Sequence, residues 1–359
     1  MRISRLEAAR GGAALYVLLH HAIPRGLEMY GLPVSDVFRF GQEAVILFFL
    51  LSGFVIGHST SRKPFNALAY LRARFLRIFI PLFPALALSF LAQAVIRGRF
   101  PSPDLRSLMG NIFMTQDLTS LPGTWTAPYM GNNPLWSLSY EWWFYVAFLL
   151  LMKFVKSWNT RTVIVTGLAI LASVLYPIWP DWGLRVVFSM AIWWTGVLAA
   201  KAWSEKLLDG WRGLLPGVPL AAVTVALALS VGIVQGFGSH SLGDSPIVEI
   251  RRMAAGIVIF LAAQGWRRIG WRGFDQIALA LAWAAPISYG LYIVHRPILS
   301  IGWHFRNYIG TAPAIALAIA LSFVLAWVIE RCIYVKIESL VPKVRTGPPP
   351  PPVAWGGQP

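Results

Sequence analysis

The sequence predicts an all-α polytopic membrane protein of about ten transmembrane helices, with both termini in the cytoplasm. First, 57% of the 359 residues are hydrophobic and only 13% are charged, whereas soluble domains carry about 25% charged residues. Second, the mean hydropathy is +0.60, and long apolar runs recur along the chain. Third, those runs lack the alternation of β-strands, which excludes an outer-membrane barrel.

Ten apolar segments are expected to cross the membrane, although several are shorter than the roughly 20 residues that a perpendicular helix needs. Their number is therefore expected to hold to within one or two. The segments lie near residues 8–23, 43–58, 78–96, 137–152, 162–179, 186–200, 213–236, 253–266, 276–294 and 308–329.

The formal net charge is +16, and the cations are distributed unevenly between the loops. With ten spans, 21 of the 31 lysines and arginines fall on the side that holds both termini. The positive-inside rule places that side in the cytoplasm. The third pair of loops is the exception, because the long loop at 97–136 holds three arginines. Contact with membrane lipids accounts for this charge, so nucleic-acid binding is not needed to explain it.

The chain is expected to form one integral-membrane domain over residues 1–340, followed by a Pro-rich, disordered cytoplasmic tail over residues 341–359. The first apolar run leads into Pro24-Arg25-Gly26 rather than a small-residue cleavage site, so we expect it to remain as a span. The single cysteine, Cys332, rules out an internal disulfide framework. The sequence contains no internal repeat, nucleotide-binding glycine motif or metal-ligand cluster.

The first span carries an arginine at its mouth and two histidines near its middle. Arg10 and His21 are eleven residues apart, which puts them on one helix face about 16 Å apart, while His20 points about 100° away. Ionisable groups inside a membrane usually face a protein interior and mark a site. The alternative is a snorkelling arginine and a hydrogen-bonded core histidine.

The second and third spans add small residues and a pair of arginines. Ser52 and Gly53 lie in mid-span, where small residues let a neighbouring helix approach. Glu43 lies near the outer surface and is expected to be solvated. Arg74 and Arg77 are spaced i, i+3 and share a helix face. Such a pair suits phosphate groups, but it is also typical of anchoring to anionic lipids.

The fourth span begins with Trp136 and Ser137 and carries Glu141 about a turn and a half inside. An aromatic belt at the interface explains the tryptophan but not the glutamate, which needs a partner within the membrane. The loop at 97–136 that precedes this span is long enough to carry function.

The later spans contain fewer groups with catalytic chemistry. Spans five to eight are interpreted as an apolar, Trp-rich scaffold without a catalytic charge. His295 is placed at the outer end of the ninth span, where an interfacial position is typical. Glu330 closes the last span and is expected to pair locally with Arg331.

Six motifs occur in one order and at matching membrane depths, and together they resemble the membrane-bound acyltransferase family 3 over most of the chain. The motifs are Arg10-Gly-x-Ala-Ala with His21, Val45-x-x-Phe-Phe-x-x-Ser52-Gly53-Phe54, Arg74-x-x-Arg77 before Pro81, Leu135-Trp136-Ser137-Leu-Ser-x-Glu141, Ile287-Ser-Tyr-x-Leu-Tyr-x-x-His295-x-Pro297, and Glu330.

The resemblance implies a ten-helix domain that moves an acyl group, usually acetyl, from cytoplasmic acyl-CoA to a hydroxyl of a carbohydrate such as an exopolysaccharide or O-antigen. It also implies a bacterial inner-membrane location and no metal. Some members add a C-terminal SGNH domain, and since this chain ends soon after the last span, the stand-alone form is expected. The acceptor, the acyl chain length and the oligomeric state stay open.

Carried over by motif, the resemblance makes His21 and Glu141 the catalytic residues and Arg10, Arg74 and Arg77 the binders of acyl-CoA. An imidazole can act as a general base or as a transient acyl carrier. Glu141 could orient it if the two approach in the fold. The neighbouring His20 is the alternative reactive imidazole, and the spacing favours His21.

The remaining motif residues are expected to bind substrate or to hold the structure. They are Ser52, Gly53, Trp136, Ser137, His295 and Glu330. The alternative function is a secondary transporter or flippase of a polysaccharide precursor or acyl carrier, because such proteins also bury Arg, His and Glu within many spans. The absence of a detectable repeat and the crowding of ionisable groups in the first four spans favour the enzyme.

Overall fold

The computed structural model describes residues 4–24, 26–29, 32–60, 64–238, 241 and 243–342. The chain is helical over most of these described residues. Its helices are α1 Ser4–Ala22, α2 Val34–Val37, α3 Gly41–Thr60, α4 Ala67–Arg97, α5 Leu105–Ile112, α6 Trp136–Phe154, α7 Trp158–Leu175, α8 Trp182–Ser204, α9 Val218–Val234, α10 Ile247–Arg268, α11 Phe274–Ala282, α12 Ser288–Ile309, α13 Thr311–Trp327 and α14 Tyr334–Leu340. A two-residue hairpin, Glu28–Met29 with Leu32–Pro33, follows α1.

The protein is an all-α polytopic membrane protein. Within the described ranges, seven helices are long and apolar enough to cross a membrane, or eight if the bent pair α11–α12 counts as one span. Helices α1 and α10 are 19 and 22 residues long and hold three and five charged residues. Ten spans with cytoplasmic termini therefore stay a prediction. Of the tail expected at 341–359, residues 343–359 lie outside the described part.

Two ends of the bundle can be told apart by their contacts. At one end, called the basal end, Arg5 of α1 forms an ion pair with Asp275 at 2.7 Å. There Arg72 of α4 also donates to the carbonyl of Val341 at 2.8 Å. The opposite end, called the loop end, holds the segment from 98 to 135. At the loop end Glu43, expected to be solvated, instead pairs with Arg251 at 2.8 Å.

Helix α4 is the longest helix in the described chain and has a clear start and stop. The side chain of Asn66 accepts a hydrogen bond from the amide of Ala69 at 2.9 Å, which caps the first turn. Gly98 ends the helix with a φ of 63°, a left-handed conformation that glycine adopts freely. Pro81 and Pro84 lie inside this helix, where packed neighbours can compensate for the lost hydrogen bonds.

Helices α3 and α8 cross with their backbones almost in contact. A methyl group on Gly53 would collide with the carbonyl oxygen of Trp193, and one on Gly196 would collide with that of Leu50. Small residues at both positions permit this approach, as in membrane helix pairs generally. Gly53 therefore lies where the sequence placed a close helix crossing.

A fully buried polar cluster joins the loop segment to α6, α8 and α10, and we call it the loop clamp. It consists of Asp117, Tyr140, Tyr176, Arg185 and Glu249. Arg185 pairs with Asp117 at 2.9 Å, and the Tyr176 hydroxyl donates to Glu249 at 2.5 Å. Helices α8 and α10 thus contribute buried charges to this cluster, at Arg185 and Glu249, just outside the predicted spans at 186–200 and 253–266.

The predicted ninth span at 276–294 is not one helix. It consists of α11 and the first part of α12, joined at a bend of 45° with a 3₁₀ turn at Ala285–Ile287. Pro286 in this turn has no amide hydrogen to donate, which suits a break. Because α12 continues to Ile309, the placement of His295 at a helix end is wrong. His295 lies inside α12 and is fully buried.

Candidate active site

A cavity of about 310 Å³ lies between α1, α3, α4, α6 and α12, with α14 at its basal side. Its walls combine cations, tyrosines and apolar side chains. The residues discussed below that line it are Arg10, Phe48, Ser52, Arg74, Arg77, Ser137, Glu141, Tyr145, Tyr289, Tyr292, Tyr334 and Glu338. Six of the eleven residues predicted for the site are among them.

The three predicted arginines share this cavity. Arg10 comes from α1, and Arg74 and Arg77 come from successive turns of α4. The Arg74 guanidinium lies 5.6 Å from the ring centre of Tyr145, and its Nε is buried without a hydrogen-bond partner among the described residues. Stacking on tyrosine leaves the edge of a guanidinium available to another acceptor.

Arg77 is the best anchored of the three. Its Nη1 donates to Glu330 at 2.6 Å, and its guanidinium lies 5.0 Å from the ring centre of Tyr289. Glu330 also accepts the amide hydrogen of Gly290 at 2.8 Å. The expected local pairing of Glu330 with Arg331 is wrong, since this carboxylate instead joins α4 to α12 across the bundle.

Glu141 lies in the wall of the cavity and is held by two hydroxyl groups. Ser52 donates to its Oε1 at 2.6 Å, and Tyr145 donates to the same oxygen at 2.5 Å. The indole of Trp193 donates to the Ser52 hydroxyl at 3.2 Å. The predicted residues Ser52 and Glu141 are therefore direct partners, connecting α3, α6 and α8.

A pair of hydroxyl groups lines the cavity on its loop-end side. The Tyr292 hydroxyl donates to the carbonyl of Pro134 at 2.8 Å and lies 2.8 Å from the Ser137 hydroxyl. Phe48 packs on Tyr292 with ring centres 5.7 Å apart. Trp136, also predicted for the site, stacks under the guanidinium of Arg252 at 4.4 Å.

A histidine pair lies beyond the ring of Tyr292. The rings of His21 and His295 stack with centres 5.2 Å apart and an interplanar angle of 29°. The ring of Tyr292 lies 6.1 Å from that of His295, so the pair is one ring away from the cavity. His20 lies 4.7 Å from His21, and its Nδ1 lies 2.5 Å from the carbonyl oxygen of Phe38.

Glu141 and His21 belong to different levels of the bundle. Ser137 and Tyr292 are hydrogen-bonded, while Glu141 lies one turn farther toward the basal end and His295 lies three residues farther toward the loop end. At 1.5 Å rise per residue, these offsets separate Glu141 from the histidine level by about 10 Å. The structure thus gives His21 a histidine neighbour that the sequence did not pair with it.

The fold and this cavity define a multi-pass membrane protein with an arginine-lined internal pocket near a histidine pair. A family model described as an acyltransferase domain matches residues 3–331. The chain belongs to this family, acyltransferase family 3, and is an acyltransferase. This finding favours the enzyme over the transporter considered from the sequence.

Two relatives are consistent with this assignment. Acyltransferase MdmB of Streptomyces mycarofaciens is 29% identical over 184 residues, which is 49% of this chain and 46% of that protein. Nodulation protein 10 of Rhizobium leguminosarum bv. viciae is 27% identical over 323 residues, 81% of this chain and 82% of that protein. The first alignment therefore spans less than half of the Streptomyces protein. No solved structure matches the chain.

Proposed function

We propose that this enzyme is an O-acyltransferase that moves an acetyl or other short acyl group from acyl-CoA to a hydroxyl of a cell-envelope or exported carbohydrate. In this proposal it works in the bacterial inner membrane, and His21 serves as general base or acyl relay. The observation that carries the proposal is one cavity that is lined by three arginines and separated from a histidine pair by the ring of Tyr292.

The arginine end of the cavity suits the phosphates of CoA. Arg10, Arg74 and Arg77 line one cavity together with the carboxylates Glu141 and Glu338, and Arg77 pairs with Glu330. Guanidinium groups bind phosphates through parallel hydrogen bonds, and these interactions are stronger in a partly desolvated site. The phosphates are therefore expected to bind at Arg74, whose Nε has no partner among the described residues.

The size of the cavity suits only part of the donor. Its volume of about 310 Å³ is at the lower end of the range for ligand pockets, roughly 300–1,000 Å³. We expect the narrow thioester arm to enter, with the nucleotide at the basal mouth beside Tyr334. The excess of cations on the basal side supports a cytoplasmic entry for the donor.

The reaction needs a group that accepts the proton of the acceptor hydroxyl as its oxygen attacks the acyl carbon. The acceptor oxygen attacks the acyl carbon, the carbon–sulfur bond breaks, and the hydroxyl proton passes through an imidazole to the leaving thiolate. If His21 first takes the acyl group, the same products form in two steps. The histidine pair lies one ring from the Ser137–Tyr292 end, where the thioester is expected to reach.

The proposal is tested by measuring binding of acetyl-CoA to the purified protein in nanodiscs by calorimetry. Arg74→Ala removes a guanidinium with an unpartnered Nε and is expected to weaken binding about 10- to 100-fold, as for loss of a charged hydrogen bond. Arg72→Ala is the matched control on the same helix, because Arg72 bonds to Val341 and does not line the cavity.

Unchanged acetyl-CoA affinity in Arg74→Ala, or equal losses in both variants, would contradict the donor site. The acceptor is identified separately by NMR of surface polysaccharides from a deletion strain carrying the wild-type gene or His21→Ala. Loss of one O-acetyl signal with His21→Ala is the expected result, and full restoration would exclude a catalytic role for His21.

A further inference from the structure

His295 is held in one defined protonation pattern by its backbone. Its Nδ1 lies 3.0 Å from the carbonyl oxygen of Leu291. A carbonyl oxygen only accepts, so the hydrogen of the neutral ring must be on Nδ1. The other nitrogen, Nε2, then presents a lone pair and no hydrogen.

That lone pair has no partner among the described residues. Nε2 of His295 is buried, and no hydrogen bond reaches it. Buried polar atoms in native proteins are nearly always hydrogen-bonded, so an unsatisfied one calls for an explanation. An acceptor without a donor, beside the ring of His21, is suited to a substrate hydroxyl.

The other nearby groups are less suited to this role. The Tyr292 hydroxyl donates to Pro134. His20 also contacts a carbonyl, that of Phe38, through Nδ1, but its ring is only partly buried and meets His21 edge-on, whereas that of His295 is fully buried and stacked on His21. Glu141 accepts from Ser52 and Tyr145 at a level nearer the basal end. His295 therefore offers a proton acceptor at the level of His21 whose lone pair is not already used.

We propose that His295 is the general base that takes the proton of the acceptor hydroxyl, while His21 carries the acyl group. This assignment rests on the proposed function above and divides its two steps between two histidines. It uses the stacked geometry of the rings and the unpartnered Nε2 of His295.

The acyl group moves first to His21 and then to the acceptor hydroxyl. The nitrogen of His21 attacks the thioester carbon, a carbon–nitrogen bond forms, and the carbon–sulfur bond breaks to release CoA thiolate. The acceptor oxygen then attacks the same carbon, the carbon–nitrogen bond breaks, and its electron pair returns to His21. The hydroxyl proton goes to Nε2 of His295 and finally to the thiolate or solvent.

The test separates the two steps by leaving out the acceptor. Purified wild type and the variants His295→Phe and His295→Gln are mixed in nanodiscs with radiolabelled acetyl-CoA, and protein-bound label is measured. His295→Phe keeps a ring that can stack, and His295→Gln keeps polarity, so a packing defect in one is checked by the other. His304→Gln is the control, because His304 is an exposed histidine on the same helix.

We expect wild type, both His295 variants and His304→Gln to gain about one acetyl group per chain, and His21→Ala to gain none. In the complemented deletion strain, both His295 variants should lower polysaccharide O-acetylation at least about 100-fold, the lower limit for loss of a general base. His304→Gln should restore it fully.

The assignment of His295 is overturned if both variants restore O-acetylation, or if both fail to gain label while still binding acetyl-CoA. Either result would leave acyl transfer by the wild type intact. If the wild type itself gains no label and releases no CoA, the proposed donor chemistry fails instead, which is a different result.

Discussion

The cavity and the loop clamp are two buried polar regions built from the same kinds of residue, and they differ in how their arginines are paired. In the loop clamp, all three guanidinium nitrogens of Arg185 are used, by Asp117, Pro122, Tyr176 and Thr124. In the cavity, by contrast, Arg74 has a buried Nε without a partner among the described residues. A fully paired arginine indicates a structural role, and an incompletely paired arginine beside open space indicates a binding role. Oε2 of Glu249 in the loop clamp also lacks a partner among the described residues, but it does not line the cavity.

The ion pair of the cavity is also more exposed to solvent than the ion pair of the loop clamp. The side chains of Arg185 and Asp117 are 1% and 0% exposed, whereas those of Arg77 and Glu330 are 29% and 2% exposed. The Arg77 pair therefore lies at an opening, where a ligand can reach the guanidinium. Comparing the two ion pairs separates the contribution of a buried arginine to folding from its contribution to binding.

The largest effect is expected from breaking the loop clamp. Arg185→Met leaves Asp117 buried without its cation, and loss of one partner of a buried pair costs about 3–5 kcal/mol. Thermal unfolding in detergent should show a large fall in melting temperature, while Lys201→Met, which breaks an exposed pair with Glu205, should change stability by less than about 1 kcal/mol. A stable Arg185→Met protein that no longer binds acetyl-CoA would contradict this prediction, because Arg185 would then have a binding role and not a structural one.

An intermediate effect is expected for the ion pair of the cavity. Arg77→Gln removes the charged hydrogen bond to Glu330, which is worth about 1.5–3 kcal/mol, but Glu330 keeps the amide of Gly290. We expect a smaller loss of stability than in Arg185→Met, together with at least tenfold weaker acetyl-CoA binding. Melting curves and calorimetry on the same preparation measure both, and undiminished binding would remove Arg77 from the donor site.

The smallest effect is expected at the edge of the loop clamp. In Glu249→Gln, the amide oxygen can still accept from Tyr176 and Ser245, as Oε1 does now. We expect the free energy of unfolding to change by less than about 1 kcal/mol and acetyl-CoA affinity to stay unchanged. A fall in the free energy of unfolding as large as that of Arg185→Met would mean that the negative charge of Glu249, and not its hydrogen bonds, stabilises the loop clamp.

Local sequence spacing was informative wherever one helix carries the feature. The shared face of Arg74 and Arg77 and the small residue Gly53 follow from helix periodicity alone, and the structure places them at the cavity and at a close crossing. The apolar runs likewise predicted the helices, because burial in a bilayer requires long uninterrupted hydrophobicity.

Contacts between distant segments could not be predicted in this way. Glu330 pairs with Arg77 across 253 residues of sequence, and Arg331 next to it offered a simpler partner. His295 stacks on His21 only because α12 continues past the bend at Ala285–Ile287. The pairing of Arg185 with Asp117 left no signal, since one residue lies in a loop and the other near a helix start.

The close crossing of α3 and α8 also restricts how this sequence can change over evolutionary time. When a core residue grows, a neighbour can often shrink to restore the packing. At this crossing, Gly53 faces the backbone at Trp193, and Gly196 faces the backbone at Leu50, so neither has a side chain opposite that could become smaller. Glycine is already the smallest residue, and each position can therefore vary only if the two helices move apart.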